Sequence, residues 1–372
     1  MSDSTVPQES NPPAPSAWGV ALESVRCPHC DWRYFAPPDK ADIRCPHCFQ
    51  ADLTPLGEAA AQLPYRLPPE QWLPFAVDAA TLNLSVETFA GGIPYAPRDL
   101  NGDALRARVQ PLYLPLWLVD GNVTAEWSAE VGFNYQVVSH RERYADGGGW
   151  RTEEIHKDQV RWESRVGRLE RHYDNVVAPA LEDHPALERA LGTYPLTNVR
   201  PYAANALSDA LVRLPDRAPS AAWPDATPNF QAAAAEECRQ AAQSDHIQKF
   251  RWSPKYTQTN WTLLLLPVYA SYYLDDESAP QPVLINGLTG KITGARRASM
   301  QRAQRAALIT AIVAVVLFAL GLLLGILGIA APPLLVFGIL LAIVAFGGGA
   351  VGALLPIVRA SRFNRKQEVE GR

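Results

Sequence analysis

Residues 306–358 read AALITAIVAVVLFALGLLLGILGIAAPPLLVFGILLAIVAFGGGAVGALLPIV, a run of 53 residues without a charged side chain, interrupted by Pro332-Pro333. About 20 apolar residues in a helix span the ~30 Å hydrocarbon core of a bilayer, so the run is long enough for two crossings. Each half can form all its backbone hydrogen bonds as a helix, which a bilayer requires. The sequence therefore predicts a transmembrane hairpin, about Ala306–Ile329 and Leu334–Ile357. The alternative is a buried helical hairpin inside a soluble core.

Basic residues flank this hairpin on both sides, and they predict its orientation. They are Arg296, Arg297, Arg302 and Arg305 before it, and Arg359, Arg362, Arg365 and Lys366 after it. By the positive-inside rule, both ends lie on the cytoplasmic face. We therefore expect a two-span protein of the cell inner membrane, with the lipid bilayer as a partner. Residues before 296 are then cytosolic, and residues 359–372 form a basic cytosolic tail.

The soluble part and the anchor carry opposite net charges. Residues 296–372 contain nine Lys or Arg and two Glu, a net of +7, which leaves −11 for residues 1–295 in a chain of net charge −4. A basic anchor suits a leaflet that contains anionic lipids. A surface that wraps nucleic acid needs clustered positive charge, so the acidic soluble part argues against a nucleic-acid partner.

Two segments before the main body are rich in proline. Residues 1–20, which begin MSDSTVPQESNPPAPS, lack the basic and apolar regions of a secretory signal and predict a disordered lead. Residues 53–78 contain five prolines and predict an extended connector rather than a regular element.

Four of the five cysteines form two Cys-Pro-His-Cys motifs separated by fourteen residues. Two such CxxC turns at this spacing are typical of a zinc ribbon, because each turn supplies two thiolates to one tetrahedral site. We predict a ribbon over residues 24–52 that binds a structural Zn2+. Its ligands are Cys27, Cys30, Cys45 and Cys48.

Several alternatives remain for this segment. His29 and His47 lie inside the motifs and are alternative ligands, and the cysteines could instead form disulfides, which a cytosolic location disfavours. Asp31 and Phe49 replace the glycine that often follows each motif, which leaves the turn geometry open. We expect Trp32, Tyr34 and Phe35 to form a small ribbon core rather than a stacking surface for bases. The ribbon contains four basic and five acidic residues, so it lacks the excess of positive charge that binding to nucleic-acid phosphates requires.

Residues 79–295 predict a cytosolic α+β domain, because strand-like and helix-like segments occur in blocks. A meander of short antiparallel strands is expected from Tyr113, with turns at Asp120-Gly121-Asn122 and Asp146–Gly149. Helices are expected at Leu73–Phe89, His184–Leu191, Ala203–Leu211 and Pro228–Phe250. A last β unit is expected from Trp261–Leu274, Pro282–Ile285 and a turn at Asn286-Gly287.

The chain resembles a family of bacterial membrane proteins with an N-terminal TFIIB-type zinc ribbon, often labelled through that ribbon as relatives of the primosomal helicase. The matching stretches are the two Cys-Pro-His-Cys motifs, Leu112-Tyr-Leu-Pro-Leu-Trp-Leu-Val-Asp120, Leu265-Leu-Pro-Val-Tyr269 and Asn286-Gly-Leu-Thr-Gly-Lys291. The resemblance implies a cytosolic ribbon and α+β body on a membrane anchor, without an established enzymatic activity. It also implies an adaptor role in envelope stress.

Motifs for catalysis or transport do not emerge. The string nearest to a P-loop, at Gly290-Lys291, lacks the required glycine at residue 285 and Ser/Thr at residue 292. The body histidines show no HxxxH or HExxH spacing, so we expect no enzyme. The predicted spans contain no ionisable residue that could relay protons or ions. The mixed charges of residues 141–171 are typical of a solvated surface.

Small residues recur in the spans at Gly321-Leu-Leu-Leu-Gly325 and from Gly348 to Gly352. This spacing lets helices approach closely, and we expect it to pack the hairpin on itself, although it also permits oligomerisation. Our main hypothesis is a non-enzymatic membrane-anchored adaptor or scaffold with a protein partner of unknown identity. The alternatives are a membrane tether that binds nucleic acid through the ribbon and an enzyme built from dispersed residues.

Overall fold

The computed structural model describes residues 18–40, 43–57, 67–144, 148–207, 209–330 and 332–370. It is a mixed α+β structure with two apolar helices at the C-terminal end and a cluster of four cysteines near the N-terminus. The predicted disordered lead lies outside the described residues up to residue 17, and so does the middle of the predicted connector, residues 58–66.

The body is built on one mixed sheet. Its strands are β1 (Glu23–Arg26), β2 (Arg33–Ala36), β3 (Thr54–Pro55), β4 (Gln71–Trp72), β5 (Gln110–Tyr144), β6 (Trp150–Pro179), β7 (Arg200–Pro201), β8 (Leu211–Arg213), β9 (His246–Leu274), β10 (Pro280–Asn286) and β11 (Ile292–Gly294). The main path is β11-β10-β9-β5-β8-β2-β1-β3, and β6 pairs with β5. The helices are α1 (Ala79–Ala90), α2 (Gly102–Ala107), α3 (His184–Leu191), α4 (Pro219–Ala241), α5 (Met300–Leu327) and α6 (Pro332–Glu370).

Three strands are far longer than the predicted short meander. β5, β6 and β9 contain 35, 30 and 29 residues, and β5 lies between the other two. The predicted turn at Asp120-Gly121-Asn122 is wrong: the register of β5 against both neighbours shifts there, so the segment is a β-bulge. Glycine and aspartate mark turns and bulges alike, and pairing on both sides keeps β5 extended through this point.

The helical block also differs from the prediction. α4 begins nine residues before Pro228 and ends at Ala241, while the residues from His246 onward belong to β9. A stripe at every fourth position of α4 is buried: Ala222, Ala226, Phe230, Ala234 and Cys238. Burial of this stripe against the sheet outweighs the hydrogen bonds lost at the two prolines inside the helix.

The shorter elements match the prediction in part. α3 is confirmed. α1 ends at Ala90, one residue beyond the predicted end, but begins only at Ala79, because the Asp78 side chain accepts a 2.6 Å hydrogen bond from the Thr81 N–H and caps the helix there. The helix predicted at Ala203–Leu211 is wrong: a short 3-10 turn, Ala204–Leu207, precedes β8. The hairpin through Asn286-Gly287 is confirmed by the pairing of β10 with β11.

The two C-terminal helices are long and apolar enough to span a membrane. They pack closely through glycine, since a Cβ added to Gly321 would lie 2.7 Å from the backbone nitrogen of Ala342. α6 continues beyond the apolar run, so the predicted basic tail is helical as far as Glu370. There the Asn364 side chain accepts a 2.7 Å hydrogen bond from the Ala298 N–H and donates one to the Ala298 carbonyl. This pair of bonds fixes α6 to the chain that enters α5.

Candidate metal centre

The two Cys-Pro-His-Cys motifs form two similar turns. The Cys27 N–H donates to the Trp32 carbonyl and the Asp31 N–H to the Cys27 carbonyl, at 2.9 and 3.0 Å. In the second motif, Cys45 N–H donates to Ala51 and Phe49 N–H to Cys45 at the same two distances. The two turns therefore share the bond that closes each motif, whereas the N–H of the first cysteine bonds a carbonyl five residues on in one and six residues on in the other.

The missing glycines do not change these turns. Asp31 and Phe49 adopt φ angles of +58° and +52°, in the left-handed region where glycine is preferred. The turns therefore keep the conformation that glycine would give, and each side chain accepts a strain of about 1 kcal/mol. In this conformation the Phe49 ring stacks on Tyr272 of β9, with ring centroids 4.6 Å apart.

The four sulfur atoms converge in a compact group. Cys27 Sγ lies 3.5 Å from Cys48 Sγ, Cys30 Sγ lies 3.7 Å from Cys45 Sγ, and all four are within 4.8 Å of one another. A tetrahedral site with Zn–S bonds of ~2.3 Å has sulfur atoms about 3.8 Å apart, whereas a disulfide brings them to about 2.05 Å. The four cysteines are free thiols that could hold a metal ion.

The protonation of the cluster is consistent with a role as a cation site. Burial raises the pKa of Cys30, and it raises that of Cys45 to about 11. For Cys27, burial acts in the same direction, but hydrogen bonds from the backbone N–H groups of Cys30 and His29 lower the pKa overall. Without a cation, the raised pKa values keep the Cys30 and Cys45 thiols protonated at neutral pH. A bound divalent ion would replace those protons, because metal ligation requires thiolates.

The two histidines inside the motifs occupy different surroundings. His29 is exposed, and its backbone N–H points at Cys27 Sγ at 3.4 Å. His47 stacks on the Trp32 ring with a centroid distance of 3.6 Å and an interplanar angle of 8°. Burial, aided by the charge of Arg213, lowers the pKa of His47 to about 4. Neither imidazole is part of the group of potential metal ligands, which consists of the four cysteine sulfur atoms.

The cysteine segment is continuous with the body rather than a separate small unit. β2 pairs with β8, and the buried side chains of Tyr34 and Phe35 pack into the main cores. The Tyr34 hydroxyl lies 3.5 Å from Cys45 Sγ. The predicted ribbon core is therefore not separate from the body: its aromatics are buried in cores that also contain apolar residues of β5, β8 and β9.

Arg213 of β8 joins the cysteine segment to the body, a role for which the sequence contains no signal. Its side chain is only 4% exposed and donates to the carbonyls of Arg33 and Leu214 and to the Asp216 carboxylate. The guanidinium also lies over the Trp32 ring, 4.2 Å from its centroid. No local sequence pattern could have revealed the contacts of Arg213 with the cysteine segment, since 180 residues separate Arg213 from Arg33.

The other candidate groups lie apart from the cluster. A mainly apolar groove of about 670 Å³ lies between β6, α3 and α4 and includes His184, whose pKa is lowered by burial. His140 faces Glu154 at 3.5 Å, and His172 faces Asp174 at 2.9 Å, both on exposed strand surface. Among the residues that the structure describes, the four cysteines are the group of potential metal ligands whose ligand atoms lie close together.

Comparisons of the chain with models of protein families, with curated proteins and with solved structures found no match, so the resemblance to membrane-anchored zinc-ribbon proteins stays a prediction.

Proposed function

We propose that this protein is a non-enzymatic scaffold or adaptor, held at the cytosolic face of the inner membrane by the α5–α6 hairpin and stabilised by a structural Zn2+. The observation that carries the proposal is the firm connection of anchor, sheet and cysteine cluster. Phe49, beside the cluster, stacks on Tyr272 near the end of β9, and the following turn contacts the start of α5 through Asp276 and Gln301. A rigid platform of this kind suits the display of a surface.

Four cysteine ligands support a structural role for the metal. A catalytic zinc keeps a coordination position open for water or substrate, whereas four thiolates fill the tetrahedral shell. The ion would hold the two turns together beside the core that contains Tyr34 and Leu112. Its chemistry would be limited to that bonding.

The ion pairs around the cluster weigh against the nucleic-acid alternative. Each of the four basic residues of the ribbon has an acidic partner within 4.0 Å: Arg26 and Arg33 with Asp31, Lys40 with Asp209, and Arg44 with Asp52. Phosphate binding would have to compete with these carboxylates. The described charges of the ribbon therefore favour a protein partner.

The test is affinity purification of the full-length protein in detergent, with zinc measured by mass spectrometry. We expect one zinc per chain and a specific protein partner in the wild type, and loss of both in a Cys45→Ser, Cys48→Ser double variant. Cys238→Ser removes a thiol from α4 and is the matched control.

Absence of a specific protein partner from every form would refute the adaptor role. A partner that stays with the double variant would move the interaction from the ribbon to the rest of the body. Binding of DNA or RNA by the wild type with a steep dependence on salt would favour the nucleic-acid tether.

A further inference from the structure

The long hairpin of β5 and β6 extends past the rest of the sheet. β9 begins at His246, opposite Gly132, whereas β5 continues to Tyr144 and pairs with β6 as far as Trp150. We call residues 133–144 and 150–161 the distal arm. At ~3.3 Å per residue, the arm is about 40 Å long. Within the described residues, no third strand pairs with it.

An arm of this kind is poorly stabilised on its own. A two-stranded hairpin in water is marginal, and a third strand, a packed helix or another partner surface is normally required. α4 ends at Ala241, level with the base of the arm, where the Asp245 N–H donates to the Gly132 carbonyl. The arm therefore presents two faces that its own body leaves open.

The two faces carry opposite charge. Successive residues of a strand point to opposite faces, and directly paired residues share a face. Cross-strand hydrogen bonds agree with this assignment of residues to faces. The Tyr135 hydroxyl donates to the Gln159 side chain on one face, and the Gln136 side chain donates to Asp158 on the other. Among the side chains that the structure describes in the arm, the basic face carries Arg141, Lys157 and Arg161, and the acidic face carries Glu142, Glu154 and Asp158.

Each face also exposes apolar side chains between its charges. Tyr135 is 45% exposed and Ile155 is 37% exposed on the basic face, and Val138 is 47% exposed on the acidic face. Tyr144 and Trp150 form an exposed aromatic pair near the tip, 5.5 Å apart. Covering either face with a surface of opposite charge would bury these groups and neutralise the charges together.

We propose that the occupant of each face is the distal arm of a neighbouring copy of this protein, with basic face against acidic face. The chain supplies both complementary surfaces, of equal length and of opposite described charge. Charge complementarity selects partners mainly by excluding like-charged contacts. Two copies with their basic faces together, or their acidic faces together, would repel each other.

The membrane anchor restricts the assembly further, and this step rests on the proposed location. Copies in one membrane have the same orientation relative to the membrane normal. A contact between unlike faces therefore joins them head to tail into a ring or a row. A two-fold dimer about the membrane normal would place like faces together. A face about 40 Å long and ~10 Å wide covers only about 400 Å² per copy, at the weak end of interface size. Confinement in a membrane raises the effective concentration enough for such a contact to form.

The test uses full-length protein in liposomes, with donor and acceptor dyes attached at the C-terminus, and reads energy transfer between copies. We expect the transfer to fall by roughly two-fold or more when salt rises from about 0.05 to 1 M, since the screening length drops to ~3 Å. Arg141→Glu, Lys157→Glu and Arg161→Glu together make the described charge of both faces negative, and Glu142→Lys, Glu154→Lys and Asp158→Lys together make it positive on both. Each variant alone should lose the transfer, and an equal mixture of the two should recover it.

The mixture separates a lost interface from a misfolded arm, because only folded arms can restore complementary faces. Arg251→Glu with Lys255→Glu changes exposed residues of β9 outside the arm and should behave as the wild type. Transfer that is insensitive to salt and to both reversals would place self-association in α5 and α6 and overturn the proposal, as would failure of the mixture to recover. The partner purification above does not depend on this result.

Discussion

Replacement of Arg213 by alanine should destabilise the body and loosen the cysteine segment at the same time. Arg213 is 4% exposed, and its guanidinium donates to two backbone carbonyls and pairs with Asp216 at 2.9 Å. Its loss removes the side-chain donor to both carbonyls, although the Arg33 carbonyl keeps a bond from the Leu214 N–H, and it removes the positive charge that acts on the carboxylates of Asp183 and Asp216. Removal of one member of a buried ion pair costs about 3–5 kcal/mol. Asp216 is partly exposed, so we expect the lower end of this range, about 3 kcal/mol.

The measurement is urea unfolding of the full-length protein in detergent, followed by tryptophan fluorescence, with metal release to a chelator recorded in parallel. Arg26→Ala is the matched control, because Arg26 meets Asp31 at 3.9 Å on open surface. Such an exposed pair contributes at most about 1 kcal/mol. Faster metal release is expected for Arg213→Ala alone, since the guanidinium covers the Trp32 ring beside the cluster. Equal unfolding midpoints and equal release rates for the two variants would refute this account of Arg213.

Three further predictions concern other parts of the chain. The hydrogen bond from Arg108 lowers the pKa of Asp99, so this carboxylate contributes its full stability above its ordinary pKa of 3.8 and loses it as pH falls through the folded-state pKa. Asp99→Asn should therefore reduce the loss of unfolding free energy at acid pH, measured by urea unfolding at a series of pH values. Phe230→Ala empties a fully buried site between α4 and the sheet and should lower the free energy of unfolding by about 3–5 kcal/mol in the same urea assay. Gly321→Leu should separate α5 from α6 and lower the melting temperature in detergent, while Gly348→Leu, where an added Cβ meets nothing within 4 Å, should not; equal melting temperatures would contradict the packing described here.

Local patterns predicted some features well, because nearby residues alone determine them. The apolar helices follow from an uncharged run whose length matches two spans, and the convergence of the cysteines follows from two short turns of known geometry. The departure from glycine at Asp31 and Phe49 left the turn conformation open, and the structure shows that both residues adopt positive φ.

Predictions that depended on distant partners were less successful. Whether Gly121 marks a turn or a bulge depends on β6 and β9, which extend along both sides of β5 and lie far away in sequence. The start of α4 depends on burial of its alanine stripe against the sheet, which outweighs the preference of proline for helix ends. The contact between Arg213 and Trp32 likewise has no sequence signature.

Local composition and spacing alone specify the apolar hairpin, the four cysteines and the charge asymmetry between the C-terminal segment and the body. Pairing between segments that are distant in sequence places the cysteine segment in the main sheet and extends three strands far beyond their predicted ends. It also decided the charge pattern of the distal arm, whose residues are mixed in sequence. The alternation of a strand, combined with one register between β5 and β6, sorts Arg141 and Lys157 onto one face and Glu142 and Glu154 onto the other.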